Sequence, residues 1–201
     1  MHCRWILLYC VLMLARAEDV IRIRWNGTGT GDGDGDGDGA HNCVLSFQGI
    51  QYKCALGKNG VAPFGEKVEG DGRTPSGTYA LRRGFYRSDR IEPPVGSGLV
   101  LQPLHPADGW CDDPASSQYN ELVTLPIEYS AEQLWREDNL YDLFAVIEYN
   151  TNPIASAKGS AIFFHVASDG YGATAGCVSL DIKDLRHVFS NIRTDTVMII
   201  E

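Results

Sequence analysis

Short apolar runs broken by turn-forming glycines recur from residue 44 to the C-terminus, and this rhythm restricts the chain to a β-dominated fold. Residues 44–47, 50–56, 78–82 and 99–101 are strand candidates, and 143–149 and 160–166 are more strongly apolar ones. The intervening stretch 67–77 holds Gly70, Gly72, Pro75 and Gly77, whose backbone preferences suit turns rather than strand interiors. Two segments read as helical. Residues 130–137 offer a turn capped by Ser130, and 181–192 place Leu185, Val188 and Phe189 on one face. Residues 196–200 close the chain as a strand. The expected architecture is one mostly-β domain with a few short helices.

The first residues have the pattern of an export signal. Arg4 precedes an apolar run from Trp5 to Leu14, and Ala15, Arg16 and Ala17 supply a cleavage site. A spanning helix needs roughly 20 apolar residues, so this run is too short to be one. Residues 1–17 are therefore read as a signal peptide, and the mature chain as secreted or held in the cell envelope, without a membrane segment. Residues 18–42 form an N-terminal segment. Within it, 18–25 alternate apolar and charged side chains like a half-buried strand, Asn26 opens an N-glycosylation sequon, and 29–39 alternate Gly with Asp or Thr in a linker-like tract. Asp32, Asp34 and Asp36 imitate the start of a calcium loop. The bidentate Glu that such a loop needs is replaced by Cys43, so the linker reading is preferred. The folded unit is expected over 43–201.

The formal charge of −9 and the lack of any Lys/Arg stripe argue against a nucleic-acid partner, since phosphate contacts need a clustered basic surface. His41, His105 and His187 have no ligand-like spacing, so neither a metal nor another cofactor is expected. The sequence does not give the oligomeric state. Once the signal leaves, Cys43, Cys54, Cys111 and Cys177 remain. Four cysteines in an exported chain can be two disulfides. If Cys177 is instead a reactive thiol, at most one pair forms, and Cys43 with Cys54 is the easiest, flanking a hairpin.

The stretch 161–180 carries the chemistry. An apolar strand delivers His165 at its end, a glycine-rich loop of eleven residues follows, and Gly176-Cys177 opens a second apolar stretch. A free thiol has a pKa near 8.5, so a neighbouring imidazole is needed to take its proton at neutral pH. Glycine before the nucleophile lets backbone N–H groups face a developing oxyanion. Papain-like and NlpC-type peptidases place Cys before His, the opposite order. Sortases keep this order, and Arg186 lies where their arginine would, but their His-to-Cys gap is far longer.

With these residues in view, the segment resembles the L,D-transpeptidase catalytic domain (YkuD-like). That family's signature is a His, a glycine-containing loop and Ser/Thr-x-Gly-Cys with an apolar residue after it, here His165 and Thr174-Ala175-Gly176-Cys177-Val178. Gly109-Trp110-Cys111-Asp112-Asp113-Pro114, Tyr119-Asn120, Glu69-Gly70-Asp71-Gly72 and Thr74-Pro75 are similar to one subgroup of that family. The resemblance implies a mixed β-sandwich with Cys177 as nucleophile, His165 as base, and the backbone N–H groups of Gly176 and Cys177 as oxyanion hole. It also implies peptidoglycan stem peptides as substrate. Cys177 would form a thioester, release D-alanine and pass the acyl group to an amine, forming a cross-link. Many members carry His before the Gly-Cys and Arg two residues after the Cys. Here Ala175 and Ser179 stand there, which leaves the acceptor open.

Water as acceptor would make the protein an L,D-carboxypeptidase or wall-degrading peptidase, and loss of turnover would leave a secreted wall-binding module. Trp110, Trp135 and Tyr141 are groove candidates, though aromatics in a small β domain are more often core. Asp112, Asp113, Glu137 and Asp138 are candidates to meet the amino group of a diamino acid, though solvated or ion-paired loop carboxylates are the commoner case.

Overall fold

A computed structural model of the chain describes residues 19–25 and 41–201. The expected signal peptide, the Asn26 sequon and the Gly/Asp tract lie outside them. Among the described residues the chain runs through β1 (Val20–Trp25), β2 (Asn42–Phe47), β3 (Ile50–Ala55), β4 (Val61–Ala62) and β5 (Thr74–Pro75). It continues through β6 (Gly77–Tyr86), β7 (Val100–Pro103), β8 (Asp108–Cys111), β9 (Leu122–Thr124) and β10 (Ala131–Gln133). It ends with β11 (Leu143–Ile147), β12 (Phe163–Val166), β13 (Val178–Leu180), helix α1 (Ile182–Asn191) and β14 (Val197–Ile200). No described helix is long and apolar enough to cross a membrane.

Nine strands make one mixed sheet in the order β11-β12-β13-β3-β2-β1-β14-β6-β7. The expected sandwich takes the form of a sheet closed on itself, because β11 also pairs with β6. The ten-residue β6 makes the closure. Its first residues pair with β14, and its later ones with β7 and β11. A register shift between Ala145 and Ile147 lets β11 follow that turn.

β1 corrects the expected start of the folded unit. It lies between β2 and β14, so the sheet begins at Val20 rather than near Cys43. Its alternation explains the placement: Ile21 and Ile23 are fully buried, while Arg22 and Arg24 face solvent. Cys43 and Cys54 stand opposite one another on β2 and β3 and form a disulfide. The expected helical turn at 130–137 is also corrected. Residues 131–133 are instead strand β10, paired antiparallel with β8 in a small sheet that β9 completes. Ser130 caps no helix, because the preference for pairing with β8 outweighs a weak local propensity.

Strands β11, β12 and β13 are buried along their whole length. Period-two alternation divides their side chains between two cores. Phe164, Val166, Val178 and Leu180 join the main core, where α1 contributes Leu185, Val188 and Phe189. Phe144, Val146, Phe163 and Cys177 join a second core with Trp110, Leu134 and Tyr141. The small sheet therefore covers the outer face of these strands. Helix α1 starts where Asp181 accepts the Lys183 N–H, and Phe189 meets Phe164 with ring centroids 5.8 Å apart.

Phe189→Ala removes the largest buried side chain of the only described helix. It is expected to cost about 3–5 kcal/mol in denaturant unfolding, and a loss under about 1 kcal/mol would show that α1 does not anchor the main core.

Candidate active site

β12 and β13 run parallel, with His165 across from Ser179 and Phe164 across from Val178. Cys177 immediately precedes β13 and occupies the same face as Ser179. His165, Cys177 and Ser179 accordingly line one cavity of about 370 Å³. The two residues expected to work together, His165 and Cys177, are brought to the same cleft.

The turn carrying the thiol is tied down from both sides. Thr174 exchanges backbone hydrogen bonds with the end of the β3 segment, accepting from Lys58 N–H (2.9 Å) and donating to the Leu56 carbonyl (2.8 Å). Its hydroxyl donates to the Cys177 carbonyl (2.7 Å) and accepts the Gly176 N–H (3.1 Å). Gly176 sits at φ +145°, and a Cβ there would lie 2.8 Å from the Arg73 carbonyl oxygen, so glycine is required. One expectation needs correction here. The Gly176 N–H is donated to the Thr174 hydroxyl and so is not free as an oxyanion donor, although Gly176 lines the cleft. The reason is local: a Thr two residues before a Gly closes its own side-chain turn. Thr174 was visible in the signature, yet its positioning role emerges only from the folded turn. Thr74, fully buried, adds a second hydroxyl near the Cys177 carbonyl (3.4 Å) and accepts the Gly57 N–H (2.9 Å).

Cys177 is a free thiol, as is the buried Cys111, so the two-disulfide alternative is not what the fold forms. The sulfur donates to the Ala161 carbonyl and accepts the Phe163 N–H, both at 3.3 Å. Burial, reinforced by the Glu132 carboxylate, pushes the thiol up to about 12. His165 is 5% exposed, and burial drives its imidazole down to about 4, against the pull of the Val166 carbonyl. That carbonyl lies 2.7 Å from Nδ1. A carbonyl only accepts, so Nδ1 carries the proton and Nε2 of the neutral ring is the basic nitrogen. Both groups therefore rest uncharged.

Tyr141 is the aromatic candidate that reaches the cleft. Its ring stands edge-on to His165 with centroids 5.4 Å apart, and its hydroxyl donates to Glu132 (2.6 Å). Trp110 is core, its indole N–H satisfied by Asn120 (2.9 Å). Trp135 lies beneath the Arg87 guanidinium, 3.7 Å away. Of the four suggested carboxylates, only Asp112 lines the cavity. Asp113 accepts the Ala115 N–H (2.9 Å) and Asp138 pairs with Arg136 (2.6 Å), while Glu137 offers its backbone carbonyl to Arg90. Glu132, Glu69 and Lys67 line the cleft without having been given a role from the sequence. Glu132 was hidden by the mistaken helix. Glu69 and Lys67 lie in the 67–77 turn, whose glycines and proline signalled a loop but not its destination.

A protonated free thiol and a neutral imidazole thus line one cleft of a mixed β fold. Residues 47–200 match the model of the YkuD family, the L,D-transpeptidase catalytic domain, and the chain belongs to that family. An L,D-transpeptidase from Mycobacterium smegmatis is a structural match at 13% identity and a TM-score of 0.30, covering 92% of this chain and 83% of that one. No curated protein matches the sequence.

Thr174→Val deletes both hydroxyl bonds of the turn that carries the Cys177 thiol. It is expected to lower stability by about 1–2 kcal/mol in denaturant titration, with Thr174→Ser restoring it. His165 titrates lower folded than its unfolded value near 6.5, so its contribution is complete above that value and is lost as pH falls toward about 4. A His165→Gln variant should therefore lose stability less steeply over that window, and an unchanged slope in acid titration would show that His165 does not set it.

Proposed function

We propose that this chain is an exported L,D-transpeptidase acting on peptidoglycan stem peptides through a Cys177–His165 pair. The observation that carries the reading is a free thiol and a neutral imidazole lining one cleft of an L,D-transpeptidase domain. His165 Nε2 takes the Cys177 proton as the sulfur attacks the carbonyl carbon after the third stem residue. The oxyanion is met by the Cys177 N–H, since the Gly176 N–H is already bound. The C–N bond breaks, the leaving D-alanine amine takes the proton from His165, and a thioester remains. An acceptor amine then attacks the thioester and the sulfur departs, yielding a cross-link. Water in its place yields a carboxypeptidase. Export rests on the N-terminal signal pattern, and places the protein outside the cell or in its envelope.

One observation favours a second reading. A thiol held protonated by burial suits a wall-binding module that has lost turnover. Intact-protein mass spectrometry after incubation with a stem tetrapeptide separates the two. The enzyme is expected to release D-alanine and to gain the tripeptide acyl mass at Cys177, with none in Cys177→Ala. A His165→Gln variant should acylate about 10²- to 10⁴-fold more slowly. No adduct on wild-type reduced protein would sink the catalytic reading.

A further inference from the structure

Three carboxylates line the cleft, and they are not equally occupied. Glu69 is fully engaged: one oxygen takes the Tyr119 and Ser160 hydroxyls and the other the Gly70 N–H. Asp112 differs, since its Oδ1 is buried without any hydrogen-bond partner. Glu132 accepts the Tyr141 hydroxyl, but its nearest cation, Arg136, lies 3.9 Å away and is committed to Asp138 at 2.6 Å. Burial raises the Glu132 carboxyl, with Tyr141 and Arg136 holding it down and Asp112 adding repulsion. A separate observation points the same way. Ser179 is 1% exposed, lines the same cavity, and has a hydroxyl with no partner. Buried polar groups left unpaired by the protein in a cavity call for a partner there, whether water, an ion or a ligand group.

We propose that Asp112 and Glu132, with the Ser179 hydroxyl, form a receptor for a primary ammonium group of the substrate. An ammonium is a compact cation with three N–H donors and no acceptor, which matches three acceptor side chains better than the wide fork of a guanidinium. Of the cavity's own cations, Lys67 does not fill this role, being bound to Asp71 (2.7 Å) and the Val68 carbonyl (2.9 Å).

The site also couples recognition to reactivity. Glu132 opposes ionisation of Cys177, so a positive charge seated beside Glu132 offsets that field. The proton then moves from Sγ to His165 Nε2 at lower cost. The substrate's own cation thus helps activate the nucleophile that will attack it. This coupling rests on the reading of Cys177 as the acyl-accepting thiol.

Alkylation of Cys177 by iodoacetamide, followed by peptide mass spectrometry at one fixed pH, tests it without turnover. The full chain is compared in acetyl-lysine amide and in acetyl-norleucine amide, which lacks only the amine and controls for steric blocking. Wild type is expected to alkylate about three- to tenfold faster with the lysine compound. The difference should vanish in Asp112→Asn and Glu132→Gln, and Glu132→Gln should alkylate faster than wild type with neither compound present. Equal or slower alkylation of wild type with lysine overturns the inference. A stem-peptide adduct without any amine effect removes the ammonium site and leaves the transfer reading. An amine effect without any stem-peptide adduct does the reverse.

Discussion

The parallel pairing of β12 with β13 holds the rest of the structure in register. Both strands are buried on both faces, so each residue must face one core or the other. A slip of one residue would turn Phe164 and Val178 toward the cleft and bury His165 in the main core. The opposition of Phe164 to Val178 in an apolar layer thus fixes His165 and Ser179 on the cleft side. The disulfide between β2 and β3 and the packing of Phe189 on Phe164 support the same layer from farther away.

Burial then decides the resting chemistry. A charged thiolate and imidazolium would each lose hydration in this cleft, and the nearby Glu132 makes the thiolate costlier still. Neutral Cys177 and neutral His165 are the stable pair. In the proposed reaction the proton moves from one to the other once something else compensates the charge, which gives the occupant of the cleft a part in it. The tethered turn around Thr174 complements this. It fixes the backbone around Cys177 in advance, as the proposed attack by its sulfur requires.

Much of the β-structure was legible because its signals are local. Apolar runs at 143–147 and 163–166, the alternation at 20–25, and the spacing of Leu185, Val188 and Phe189 all report which face is buried. Residues 130–137 misled for the same reason. Three polar or small residues beside Leu134 and Trp135 permit a helix locally, and only the presence of β8 alongside makes 131–133 a strand. That error concealed Glu132, the carboxylate with the strongest influence on Cys177.

The sequence by itself determined the fold class and the family, and it singled out the thiol and imidazole proposed to react. Each is written in residue types, their order and their spacing along one continuous stretch. Tertiary structure alone decided that β1 enters the sheet, that the sheet closes through β6 and β11, and that the Gly176 N–H is taken by Thr174. It alone decided that Asp112, Glu132 and Ser179 face the same cleft as Cys177. These side chains come from β10, from β13 and from the residue just after β8, segments far apart along the chain. Their charges act on one another only after folding removes the water between them.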